Sequence, residues 1–461
     1  MLLDPALATK AIDEALRLGA DFCDLFIERK NSQNISLKND EVERVNQGID
    51  FGIGIRLIYG VNVVYGYTNS IQEQDIIDVV RKLGAKNNLS SNNTGSALNF
   101  SKVKNAHPHQ NGLDHSPLTA EKIAFLREVN KHARNESEKI SLANAGVVQQ
   151  FQQVEIFNSE GLHTSDERHY CRVSSQVIAQ DGNEQATGYQ APGALNGWDF
   201  SNSINAQKIG SDVAKQALVK LTAAPCPGGK LPVIIDEGFG GVIFHEACGH
   251  LLETTSVQKK ASVFWDKMGE QIAHECVNAI DDGTIENEWG SINIDDEGMK
   301  TKRTQLIKDG QLVKFLSDRV GEMKTGHERT GSGRRQSYRF APASRMRNTF
   351  IDRGNSSLDE MIASIDHGIY CKAMGGGSVQ PGTGEFNFAA QESYLIENGK
   401  VTKPLKSSTL IGTGPDVLKK ISMVGDNLSL SAGMCGSVSG SVPVTVGQPA
   451  IKVDEILVGG Q

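Results

Sequence analysis

The sequence predicts an α+β fold, with a mixed α/β first half and a strand-dominated second half. Three observations carry this reading. Glycine supplies 48 of 461 residues, about 10% against a usual ~7%, which signals many tight turns and much β-structure. Short β-branched runs bounded by Gly, Asn and Asp recur along the chain. Apolar residues in helical spacing lie mostly before residue 225.

The chain opens with a helix that Asp4 can cap. Pro5 suits its first turn, Leu7, Ala11, Ala15 and Leu18 supply the apolar spacing, and Gly19 stops it. From Phe22 to Tyr67 the pattern changes to short β segments punctuated by Gly48, Gly52, Gly54 and Gly60. A helix is expected over 72–83, with Ser70 close to its cap. The stretch 87–116 is the most polar in the chain and reads as a surface loop or linker. A third helix over 118–132, strands near 145–157 and 172–180, and a fourth helix over 203–221 complete the first half. Periodicity breaks at 223–229, which divides the chain into domains 1–224 and 225–461. Beyond the break, 231–236 is a compact strand, and Gly238, Gly240 and Gly241 lead into a helix carrying His245 to Leu252. The dipeptides Asp309-Gly310 and Asn398-Gly399 are hairpin turns, because they tolerate φ > 0. Late in the chain only 416–421 looks helical.

Composition excludes several function classes. Lys and Arg number 47 against 55 Asp and Glu, a formal charge of −8, which argues against nucleic-acid or anionic-membrane binding. No run approaches the ~18 apolar residues of a membrane span, and the N-terminus lacks a basic and then apolar signal. A cytoplasmic protein is expected. Its seven cysteines, at 23, 171, 226, 248, 276, 371 and 435, are an odd, scattered set and read as reduced thiols.

The informative segment is His245-Glu246-Ala247-Cys248-Gly249-His250. Zinc peptidase helices carry two histidines at i and i+4, with a Glu beside the first as general base. Here the spacing is i and i+5, which at roughly 100° per residue leaves the histidines about 140° apart on a regular helix. They can share a metal only if the turn is widened, and a π-bulge at Gly249 is the expected device. A catalytic zinc needs a third protein ligand. The candidates are Glu253, Glu270, His274, Cys371 and Cys435, the last in a Gly-rich setting unlike that of a core cysteine. The implied chemistry is metal-assisted hydrolysis, with Glu246 as general base on the activated water.

Other features have plainer readings. Cys248 packs inward, and His274, His327 and His367 are ordinary surface or hydrogen-bonded histidines. Asp295-Asp296-Glu297, ending in Gly298, reads as a solvated turn, since calcium-loop spacing is absent. Gly375-Gly376-Gly377 is followed by no Gly-Lys-Ser/Thr. The basic cluster of Arg334, Arg335, Arg339, Arg345 and Arg347 reads as a substrate-carboxylate or ion-pair site.

The hexapeptide at 245–250, with Leu252-Glu253 behind it, resembles the signature helix of the TldD/PmbA family, in its TldD-type metallopeptidase branch. Similar blocks follow in order at 290–298, 330–335, 345–349, 394–401, 421–425, 433–436 and 446–449. The first half is similar more loosely, mainly at 20–28 and 48–56. The resemblance implies one divalent metal ion of zinc type held by His245, His250 and Cys435, with Glu246 as catalytic base. It implies an α/β N-terminal domain followed by a domain of extended, mostly antiparallel sheet carrying the metal-site helix. It further implies dimers, with itself or with a PmbA/TldE-like partner subunit, and small or unfolded peptide substrates, leader segments included, bound as an added strand. The family's older label, modulator of DNA gyrase, finds no support in the composition. A different class of function would be a non-catalytic peptide- or protein-binding regulator whose metal is structural.

Overall fold

The computed structural model describes residues 1–85, 99–103, 119–380 and 382–460, so most of the polar stretch 87–116 lies outside the described residues. Phe22–Lys38 and Glu41–Tyr59 form one hairpin of 17 and 19 residues, not the short segments the glycines suggested. Gly48, Gly52 and Gly54 lie inside the second strand. Gly52 is there for approach, since a Cβ at that position would sit 2.1 Å from the ring of Tyr338. Of this set Gly60, at φ 57°, is the one that turns the chain.

A second long hairpin, Ile140–Asn158 with Leu162–Asp181, joins the first through antiparallel pairing of Phe22–Lys38 with Ile140–Asn158. Together with Asn62–Thr68, Ser101–Val103, Glu184–Gln190 and Gly193–Ala194 they make an eight-stranded sheet. Alternation divides its faces. Leu25 and Ile27 pack with helices Pro5–Arg17 and Glu73–Gly84, and Val147 and Val173 pack with Thr119–Asn135 and Ala206–Leu221. Phe26, Val154 and Ile156 point the other way and meet Ile294 and Tyr338 of the second half. The N-cap Asp4 accepts the Ala6 amide at 2.9 Å, as its position predicts.

The second half holds two large sheets. One runs in the order Gln311–Leu312, Arg303–Lys308, Ala279–Asp282, Asn348–Ile351, Gly440–Gln448, Ser429–Ser437, antiparallel except between the fourth and fifth strands. In the other, His367–Gln380, Gly229–Ile235, Ile451–Gly459, Ser408–Thr413 and Glu385–Glu397 pair in that order, and the last pairs back to the first, closing a five-stranded ring. Asp309 and Gly310 turn their hairpin at φ 49° and 77°, and Asn398 and Gly399 theirs at 51° and 71°. The late helix is Gly414–Lys420. Two short helices, Arg319–Thr325 and Leu358–Ala363, lie outside the sequence expectation; a capping box of Ser357 and Glu360 starts the second.

Buried charge ties the halves together. Arg56 pairs with Asp24 on its own sheet and with Glu297 across the interface at 2.7 Å, while Arg168 meets Asp296 at 2.8 Å. The run Asp295-Asp296-Glu297 is therefore no solvated turn: all three residues are buried. Its charges are tolerated because each has a partner, Asp295 taking backbone amides of Glu297, Met299 and Gly333. The basic cluster divides. Arg347 is buried against Asp281 at 2.6 Å, and Arg339 pairs with Asp50 at the surface.

Candidate metal centre

The strand Gly229–Ile235 delivers the chain through a Gly-rich turn into the helix Val242–Ala247. This helix carries His245 and Glu246 and then stops. Cys248 leaves helical geometry at φ −131°, ψ −52°, and a tighter 3₁₀ turn, Gly249–Leu252, carries His250. The expected π-bulge is thus replaced by a break one residue earlier. The physical effect is the one i,i+5 spacing requires, because the kink swings His250 back toward His245. Gly249 has a packing role: a Cβ there would lie 2.1 Å from the Met346 sulfur.

The third side chain arrives from far along the chain. Cys435, on the strand Ser429–Ser437, places Sγ 3.2 Å from His245 Nε2 and 3.1 Å from His250 Nε2. The three donor atoms lie within 4.8 Å of one another, and the two rings stand 82° apart in plane. His245 and Cys435 are each 2% exposed. Burial pushes the Cys435 thiol up, but the charges and hydrogen bonds of His245 and His250 outweigh it and bring the thiol down to about 3. For His250, burial favours the neutral ring, yet Glu253 and then Cys435 carry its pKa well above the usual histidine value. Two imidazoles and a thiolate in a largely buried setting are a nitrogen–sulfur donor set that could hold a borderline-soft divalent cation.

Glu246 borders this group without joining it. Its Oε2 is 3.7 Å from His250 Nε2 and its side chain is 25% exposed, so it faces both the donors and solvent. Glu253, a candidate ligand in the sequence, instead sits behind His250. Its Oε2 is 3.1 Å from Nδ1, the ring nitrogen turned away from Cys435, and its Oε1 accepts the Met346 amide. Arg345 lies 3.8 Å from that carboxylate and also donates to the carbonyls of Cys435 and Gly440. This supporting layer escaped the sequence reading; the i,i+3 spacing of His250 and Glu253 was its one available signal. Among the described residues, His245 Nδ1 is buried with no hydrogen-bond partner.

The other candidates lie elsewhere. Glu270 is exposed beside Lys267, and His274 Nδ1 is 3.1 Å from Cys276 Sγ. Cys371 is fully buried in the core, where burial pushes its thiol up, and Cys248 is in the same core. Among the described residues the strand bearing Cys435 is the outermost of its sheet, and one side of its backbone has no strand partner there.

Models of the PmbA/TldA metallopeptidase match residues 23–86 (domain 1), 114–221 (central domain) and 228–460 (C-terminal domain). The chain is 36% identical to a Haemophilus influenzae metalloprotease TldD homolog, over 95% of this chain and 93% of that protein. It is 28% identical to a zinc metalloprotease TldD homolog of Saccharolobus solfataricus, over 98% and 99%. The fold is shared with the crystal structure of TldE from Thermococcus kodakarensis, at TM-score 0.79 and 18% identity over 98% of this chain and 100% of that one.

Proposed function

This chain belongs to the PmbA/TldD metallopeptidase family, and from that premise we propose that it hydrolyses small or unfolded peptides, with His245, His250 and Cys435 holding one zinc-type ion. When bound, such an ion supplies a Lewis acid that polarises a carbonyl and brings a water's pKa toward neutrality. The residues of the chain do the rest. Glu246 takes the proton of the attacking water and returns it to the leaving amine, a task its position beside the donors and its access to solvent suit. Glu253 receives the Nδ1 proton of His250 and so keeps Nε2 facing inward. Arg345 anchors the Cys435 carbonyl and steadies the strand that brings the thiolate. The free edge of Ser429–Ser437 offers main-chain groups to a peptide laid beside it, a mode in which backbone hydrogen bonds supply the affinity.

The observation that carries this reading is the convergence of three donors with a carboxylate alongside. A structural metal is closed by four protein ligands, and among the described residues only three converge here. That disfavours a non-catalytic regulator. The decisive experiment measures metal content and cleavage of an unstructured peptide, with and without chelator, in wild type and Glu246→Ala. Wild type should hold about one metal per chain and lose cleavage to chelator. Glu246→Ala should keep the metal and lose at least ~10²-fold in kcat. Cleavage by Glu246→Ala at the wild-type rate would refute the mechanism. Pairing with itself or with a TldE-like subunit is part of the proposal, supported by the shared fold with the Thermococcus TldE.

A further inference from the structure

A cavity of about 360 Å³ lies between the helix-free face of the first sheet and the hairpin of Ser429–Ser437 with Gly440–Gln448. Its charged lining is one-sided: Lys30, Arg168, Arg172, Arg334 and Arg335 face it, against Asp296 alone. Arg168 is matched by Asp296 and by Asp166 at 3.2 Å, and Lys30 lies 3.8 Å from Glu28. Arg172, Arg334 and Arg335 have no ion-pair partner among the described residues.

Their side-chain hydrogen bonds go to neutral groups. The Arg335 guanidinium donates to the carbonyls of Asp296 and Phe340 and to the Tyr65 hydroxyl, while its backbone amide donates to the Asp296 carboxylate; Arg172 donates to the carbonyls of Ala191 and Ala432. Arg334 is the least satisfied. It is 3% exposed, and among the described residues its side chain makes a single hydrogen bond, to the Met346 carbonyl at 2.7 Å. The one carboxylate whose charge reaches Arg334 is Asp296, already paired with Arg168; a buried guanidinium so weakly compensated is costly, and an anion in the cavity would relieve that cost. Planar carboxylates match its fork of donors. Tyr170 and Trp289, edge to face at 5.3 Å, add an apolar wall suited to methylene groups.

The cavity also has a defined relation to the metal centre. Met434 lines it, opposite Pro443 in the hairpin, and the next residue, Cys435, faces the histidines from the other side of the strand. A peptide laid along Ser429–Ser437 alternates its side chains in the same way. Every second one then points to the cavity side, where Arg172 holds the Ala432 carbonyl of that strand.

We propose that the cavity is a pocket for an acidic side chain, taking the Asp or Glu carboxylate of a peptide substrate near its scissile bond, with Arg334 and Arg172 as counter-charges. The proposal rests on the peptidase reading, so its test has two arms. The first walks Glu or Gln through successive positions of one unstructured peptide and compares KM and kcat. At one position the Glu peptide should be favoured about tenfold in kcat/KM, mostly through KM. Arg172→Gln and Arg334→Gln should each bring that ratio to within about twofold of unity. Should Arg334→Gln fail to fold by circular dichroism, Arg172→Gln, nearer the surface, decides alone.

The second arm needs no activity. Glutarate is titrated against a Trp198→Phe/Trp265→Phe background, in which Trp289 is the sole tryptophan reporter, with sodium chloride as ionic control. A saturable fluorescence change lost in Arg172→Gln supports the pocket; no saturable change overturns it. In an enzyme that cleaves the peptides, the absence of a Glu preference at every position, or a preference that persists in both variants, also overturns it. If no peptide is cleaved, the peptidase reading fails instead, and the glutarate titration alone decides the pocket.

Discussion

Glu253 shows how much of this centre rests on side chains that make no direct contribution to the donor triangle. It is buried, holds the outer nitrogen of His250 and accepts the Met346 amide with its second oxygen. Outer-layer carboxylates of this kind fix the tautomer and orientation of a metal-binding imidazole. Glu253→Gln retains the shape but can present an N–H where His250 also presents one. Metal affinity should fall ~10–100-fold, measured by competition with a chromophoric chelator. Unchanged affinity would remove the orienting role. The residue types of the centre were legible at this scale: the two histidines and Glu246 stand in one hexapeptide. Local chemistry made Cys435 one of five candidates and could not choose among them, since 185 residues separate it from His250. Family resemblance singled it out, and the fold brings it into contact.

At the scale of elements, the break at Cys248 matters more than either turn it joins. The two halves of the motif belong to different helical geometries, α before and 3₁₀ after, and Met346 packs where Gly249 has no side chain. Gly249→Ala should therefore disturb the site through packing alone, lowering stability by ~1–3 kcal/mol and weakening metal retention. Met346→Ala in the same chain should recover part of both, as read by thermal melts and metal content. No recovery would place the role of Gly249 in its backbone instead. Sequence reasoning located this helix and the Asp309-Gly310 and Asn398-Gly399 hairpins because turn chemistry is local. It misjudged 22–67, where glycines looked like punctuation. Gly52 and Gly54 mark instead where Tyr338, distant in the sequence, and Tyr65, on the neighbouring strand, press against a continuous strand.

For the whole molecule, the interface between the halves is a buried ionic layer, and its pH behaviour follows from burial. Asp318 lies near Glu297, and burial together with that neighbouring charge pushes its carboxyl up to about 7. A carboxyl raised above its unfolded value of about 3.9 binds more protons folded than unfolded in between. Its contribution to stability therefore falls as pH rises from about 4 to about 7. Glu297 has the opposite sign: burial raises it, but Arg56 outweighs burial and holds it below the usual range, so its contribution is kept above about 4.3 and lost at lower pH. Asp318→Asn keeps the oxygen that accepts the Gly321 amide and removes the titration. Urea unfolding from pH 5 to 7 should then show a shallower loss of stability, by at most ~1.4 kcal/mol per pH unit. An identical slope would exclude Asp318 as a titrating group. None of this layer was legible beforehand. A run of three carboxylates looks solvated until the arginines that neutralise two of them, on strands more than a hundred residues away, are seen beside it.

The distance between the ends of the donor set also has a consequence in time. His250 emerges from the ribosome long before Cys435, and at ~5–20 residues per second the interval is roughly 10–40 s. Throughout that interval the nascent chain carries Glu246 and the two imidazoles but not Cys435 to complete the donor set. The donor set is completed only when one of the last strands, Ser429–Ser437, is laid onto its sheet, so any capacity to hold a metal there comes late in synthesis.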